Sequence, residues 1–196
     1  MSLSRIGKFS EIFQKGFAFQ TRVGISIGSF LRDDLALSPS YIKEKIATIF
    51  LDGKAVDSLE TALLREGSTL ALSSAMPGLA GATLRRDGPY ATLRASITYR
   101  ENAGNAAVEE GRITVKLFNL LIAELGPLFL EKGIILDSSE LRDFFYRQGS
   151  GFRQGCERIL LDGKAMDEEF SLLEPLSTEN RDVVLRVLME SPLLNP

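Results

Sequence analysis

Ile49-Phe50-Leu51-Asp52-Gly53-Lys54-Ala55-Val56-Asp57 recurs as Ile159-Leu160-Leu161-Asp162-Gly163-Lys164-Ala165-Met166-Asp167, with seven of nine positions identical and both changes apolar for apolar. A second echo lies upstream at the same offset of 110 residues, Ser29-Phe30-Leu31-Arg32-Asp33 against Ser139-Glu140-Leu141-Arg142-Asp143. Two echoes in one register, with no gap between them, read as two copies of one module. In each copy an apolar run enters Asp-Gly, the signature of a strand followed by a tight turn whose glycine accepts positive φ.

Working outward, Arg112 to Phe118 alternates and predicts a strand in the second copy, and Gly133 to Leu136 predicts another. Asp137-Ser138-Ser139-Glu140 offers a helix start with Asp137 or Ser138 as cap, and Leu141, Phe144 and Phe145 fall on one helical face. Arg158 to Leu161 is a strand, and Asp182 to Leu188 closes the module. The first copy has a strand at Phe17 to Arg22, helical turns from Ser29 to Leu37 and from Ser38 to Ile46, a strand at Thr48 to Leu51 and a closing strand at Thr69 to Ser73. Between the copies, Gly81 to Arg86 and Tyr90 to Tyr99 flank the turn signal Asp87-Gly88-Pro89 and predict an extra β-hairpin, followed by a linker over Arg100 to Gly111.

The expected architecture is therefore α+β, in three segments: a first module over 1–82, the extra hairpin and linker over 83–111, and a second module over 112–196. Strand, strand, helix, strand, turn, strand is the order of a β-grasp, the ubiquitin-like fold. Val115 to Phe118 resembles the opening strand of the molybdopterin-synthase small subunit. Leu51 to Val56, Leu63-Leu64 and Glu66 to Leu72 are similar to the second half of the thiamine-biosynthesis sulfur carriers. The resemblance implies two tandem β-grasp modules with mixed sheets, each wrapping an amphipathic helix. It also implies docking on a larger enzyme of cofactor or sulfur metabolism. Those carriers act through a C-terminal Gly-Gly carboxylate, whereas this chain runs Pro77 to Gly81 after the first module and ends Ser191 to Pro196. Thiocarboxylate chemistry is expected only if processing cuts near Gly81.

The chain has no histidine and one cysteine, Cys156. That excludes Ser-His and Cys-His catalytic pairs, histidine zinc sites, internal disulfides and thiolate clusters. Twenty-three Lys and Arg against twenty-six Asp and Glu give a formal charge of −3, so no overall basic field exists to grip nucleic acid. No run approaches the ~18 apolar residues of a membrane-spanning helix. The richest, Leu117 to Leu130, is broken by Asn119, Glu124, Gly126 and Pro127. The start scatters Arg5, Lys8, Glu11 and Lys15 among apolar residues, unlike a secretory signal, and a lone thiol fits a reducing compartment. The expectation is a cytoplasmic protein with no cofactor, no metal and no catalytic residues.

The stretch Ala75 to Ala82 is uncharged and glycine-punctuated, and Met76, Pro77, Gly78, Leu79 and Gly81 are candidate partner-binding residues. The competing reading is a buried crossover in which small residues let the backbone pass close. Arg85, Arg86 and Arg94 could hold an anionic ligand bidentately, or could solubilise the hairpin and discourage edge pairing. Cys156, with Arg153 and Arg158 nearby, is a candidate persulfide carrier or a packed thiol. Lys54, Lys164 and the repeated aspartates read as a duplicated turn, and Asp33 and Asp34 as the wet face of the first helix. The leading functional expectation is a non-catalytic protein-interaction or adaptor protein; a small-molecule binder comes second, and a processed or cysteine-based sulfur carrier third.

Overall fold

The computed structural model describes residues 6–74, 78–86, 88, 98–99, 107–148, 156–166 and 181–189. The chain is α+β and divides into two compact units, one spanning Ile12–Ile122 and the other combining Met1–Glu11 with Ala123–Pro196. The sequence reading starts its second module at Arg112. In the structure the strand that begins near Arg112 belongs to the first of these units.

A short helix α1 (Ser10–Lys15), which straddles the boundary at Ile12, leads into β1 (Phe17–Val23) of the 12–122 unit. Helix α2 (Ile27–Ser29) follows, with the Ser26 hydroxyl accepting the Ser29 N–H at 3.0 Å, and it continues as a wider π-type turn over Phe30–Asp34. Ser38 caps α3 (Pro39–Lys45) in the same way, with proline at the first turn, where its missing N–H costs nothing. Then come β2 (Thr48–Leu51), β3 (Lys54–Ala55), β4 (Thr69–Ser73), α4 (Gly78–Leu84) and β5 (Glu109–Phe118). The strands of this unit lie in the order β3-β2-β4-β5-β1 and are mixed in direction. All neighbours are antiparallel except β4 and β5, which run parallel with Leu70 opposite Val115 and Leu72 opposite Leu117.

Period-2 alternation decides which face of that sheet is dry. Phe17, Phe19, Ile49, Leu51, Leu70, Leu72, Val115 and Leu117 are all 5% exposed or less, as are Ile27, Phe30, Leu31 and Leu35 of the helical segment. Phe19 meets Phe30 edge-on at 6.2 Å, joining strand to helix. Asp34 is half-buried rather than simply wet. Its carboxylate takes the Thr21 hydroxyl at 2.8 Å and the Arg22 guanidinium, fastening the end of the π-type turn to β1, while Asp33 is exposed.

The second unit contains β6 (Ile134–Asp137), α6 (Ser138–Gln148), β7 (Cys156–Leu161), β8 (Lys164–Ala165) and β9 (Asp182–Met189). Its order is β6-β9-β7-β8, antiparallel throughout. Asp137 is the helix cap: its Oδ1 accepts the Ser139 N–H at 2.9 Å and the Ser139 hydroxyl, which holds the carboxyl below its usual pKa against a smaller upward push from desolvation. Ser138 instead ties the helix start to the strand β9, exchanging bonds with the Arg181 backbone at 2.8 and 3.2 Å. Leu141, Phe144 and Phe145 are buried on one face, and Phe144 lies 5.5 Å from Phe9.

Two elements depart from the sequence reading. Gly81 to Arg86, expected as a hairpin arm, lies in α4 and the turn after it, because Gly-Leu-Ala-Gly-Ala-Thr-Leu has no alternation and favours helix through Ala and Leu. Of the second arm, only Thr98 and Tyr99 are among the described residues. Helix α5 (Leu120–Lys132) was not anticipated. Asn119 turns the chain from β5 into it at φ +57, donating from Nδ2 to Ser73 Oγ at 2.9 Å. Leu121, Leu125 and Phe129 then recur at helical spacing and are buried, and Pro127 is tolerated inside the helix.

Candidate functional site

The repeated motif forms the same structure twice. Asp52 and Asp162 sit at φ +51 and +48, followed by Gly53 and Gly163 at +77 and +78, a pair of left-handed residues that glycine makes cheap at the second position. The chain then returns with Val56 N–H on Ile49 C=O at 2.9 Å and Met166 N–H on Ile159 C=O at 3.0 Å. Each aspartate also fixes the closing strand. Asp52 N–H donates to Thr69 C=O at 2.9 Å while its Oδ1 accepts the Thr69 N–H at 2.7 Å. Asp162 makes the same two bonds with Val184, both at 2.9 Å. Partial burial pushes the Asp162 carboxyl up, but the Val184 N–H, the Arg181 hydrogen bond and the charges of Arg181 and Lys164 together carry it below its ordinary value. The repeated carboxylates are thus occupied in building the turn.

The edges beyond those turns differ. In the 12–122 unit Thr98 bridges Ala55 in parallel, and Tyr99 N–H donates to Ala55 C=O at 2.7 Å. Ala55 is 1% exposed and Val56 2%. In the other unit the equivalent Ala165 is exposed and Met166 half-exposed.

A second feature lies on the face of the 12–122 sheet that turns away from the helical segment Ile27–Leu35. Phe50 pairs with Ala71, and Ala71 with Lys116, so these three stand abreast on β2, β4 and β5. One rung along, Ser73 pairs with Phe118. With Leu84 of α4 they line an open concavity of about 500 Å³. On the same rung as Ser73, Thr48 is 1% exposed and its hydroxyl has no hydrogen-bond partner among the described residues.

The predicted site residues are dispersed. Met76, Pro77 and Arg94 lie outside the described residues. Gly78, Leu79 and Gly81 are in α4, with Gly78 exposed and Gly81 buried. Arg85 is exposed at the end of that helix, its N–H bonded to Gly81 C=O at 3.0 Å. Arg86 turns back onto α3: its N–H reaches Ala47 C=O at 2.8 Å and its guanidinium reaches Ile42 C=O at 3.2 Å. It lines a small concavity of about 200 Å³ together with Arg32 and Lys43. Arg32 is engaged there by Glu60 through two bonds of 2.7 and 3.1 Å, and that contact lowers the Glu60 pKa. Cys156 opens β7 opposite Met189. Among the described residues no group of three metal-ligating side chains occurs, and no helix is long and apolar enough to cross a membrane.

No family model, curated protein or solved structure matches the chain. The outer-face concavity was not anticipated. Its signal was the parity of the strands: with Ile49, Leu51, Val115 and Leu117 inward, Phe50 and Phe118 must point out, where the outer face of a sheet packed on one side is ordinarily polar.

Proposed function

We propose that the protein is a non-catalytic interaction or adaptor protein built from a duplicated β-grasp-like module. The observation that carries this is the contrast between the two β-edges. Beyond one turn Ala55 is buried under Thr98 and Tyr99 of the same chain, while the equivalent Ala165 is exposed. An exposed position on an edge strand is where an extended partner chain can add by strand pairing. The first copy supplies the pattern of what fits, a parallel segment with a β-branched residue followed by an aromatic one, as in Thr98-Tyr99. The duplicated-module reading is supported by the matching turns and by the order helix, strand, turn, strand, closing strand in both units. The 12–122 unit differs by receiving β5 between β4 and β1. A partner enzyme in cofactor or sulfur metabolism rests on the family resemblance alone.

Native mass spectrometry of the full chain isolated gently from its own cells tests the reading. The expected result is a stoichiometric protein partner retained by the natural chain and lost from Ala165→Asp, because a carboxylate on the edge repels strand addition without entering a core. A chain that carries no protein, or a partner that persists on Ala165→Asp, overturns it.

A further inference from the structure

Going beyond the adaptor reading, we propose that the outer face of the 12–122 sheet binds a small amphipathic monocarboxylate. Its apolar body would lie on Ala71 between Phe50, Phe118 and Leu84, and its carboxylate would meet Lys116. The floor is low at Ala71 because a methyl group stands between two bulkier cross-strand neighbours, Phe50 on one side and Lys116 on the other. Phe50, Phe118 and Leu84 are half-buried, so each offers apolar surface to an occupant without being closed off by the chain. The volume of about 500 Å³ falls within the range of pockets that hold small organic molecules.

Charge sets the ligand class. Among the described residues that line the concavity, Lys116 is the one charged side chain and none is a carboxylate. Its methylene stem is held beside Gly16: a Cβ built there would lie 3.1 Å from Lys116 Cε and 3.2 Å from Lys116 Cγ, so the glycine leaves the room the stem occupies. Ser73 and Thr69 add hydroxyls to the wall, and the Asn119 amide is already committed to Ser73. One ammonium beside apolar walls matches a ligand with one negative charge and an aromatic or branched body. A polyanion would leave charge unmatched on Phe50 and Phe118, and a neutral ligand would leave the ammonium unused.

The probe is 1-naphthaleneacetate, with its neutral isostere 1-naphthalenemethanol, titrated into the full chain by calorimetry. The acid is expected to bind saturably at one site, about tenfold more tightly than the alcohol. Lys116→Gln should remove that preference and leave the alcohol's affinity where it was. Ala71→Trp should fill the floor and abolish both. Because Trp could disturb the sheet, two-dimensional NMR of the natural chain provides an independent reading, with acid-induced shifts confined to Phe50, 69–73, Leu84 and 116–119. Equal affinity for acid and alcohol, absence of saturable binding at millimolar concentrations, or shifts elsewhere in the chain would each overturn the proposal.

Discussion

The two Asp-Gly hairpins carry nearly the same nine residues and make the same turn, yet Ala55 beyond one turn is buried and Ala165 beyond the other is exposed. Local chemistry suffices for the turn: a left-handed Asp-Gly pair and a carboxylate on the first N–H of the closing strand. It does not decide what lies beyond the edge. That is set by Thr98 and Tyr99, more than forty residues downstream of Ala55. The sheets diverge for the same reason. In one unit β9 pairs directly with β6, whereas in the other β5 arrives from far along the chain to stand between β4 and β1. The near-identical sequence therefore fixes local geometry and leaves environment to distant segments.

The sharpest way to break this comparison is to place the same charge at both edges. Ala55→Asp should destabilise the protein by about 3 kcal/mol, since it buries a carboxylate at a site 1% exposed. Ala165→Asp should stay within about 0.5 kcal/mol, as expected at an exposed position. Urea midpoints of the two variants decide the matter, and equal losses would mean that the edges are alike after all. A smaller effect probes what the copies share. Asp52→Ala and Asp162→Ala should each cost about 1 kcal/mol by stripping the partner from the Thr69 or Val184 N–H, and a marked inequality would show that the matching bonds are not equivalent.

The smallest effect is in pH dependence. The Asp162 carboxyl titrates below its unfolded value, so its contribution is complete above about pH 4 and disappears as pH falls through the folded value. Asp162→Asn should flatten the acid limb of the stability curve as pH falls from about 4 through the folded value, read from the urea midpoint at each pH. An unchanged acid limb would mean that the bond to Val184 draws nothing from the negative charge.

How much of this was legible depended on how local the cause was. β2 and β4 have the limits that the sequence predicts, and β7 and β9 fall within a residue or two of theirs. The caps at Ser38 and Asp137 follow from short side chains reaching N–H groups two or three residues on. Helix α5 was hidden because Gly126 and Pro127 interrupt an apolar run whose helical stripe, Leu121, Leu125 and Phe129, emerges only when those residues are passed over. The partners of β5 were not readable, since alternation declares a face but not a neighbour. The outer-face concavity shares that limitation: Phe50, Ala71 and Lys116 become adjacent only through the register of three strands.

The position of β5 also orders events during synthesis. Strands β1 and β4 flank it in the finished sheet, yet both leave the biosynthetic machinery first, and β4 must wait some forty residues for its parallel partner. Until residue 118 has emerged, Leu70, Leu72, Phe17 and Phe19 have no strand between them to close the dry face. The nascent 12–73 segment is therefore the stage most exposed to wrong pairing, and the middle of its sheet is the last piece made.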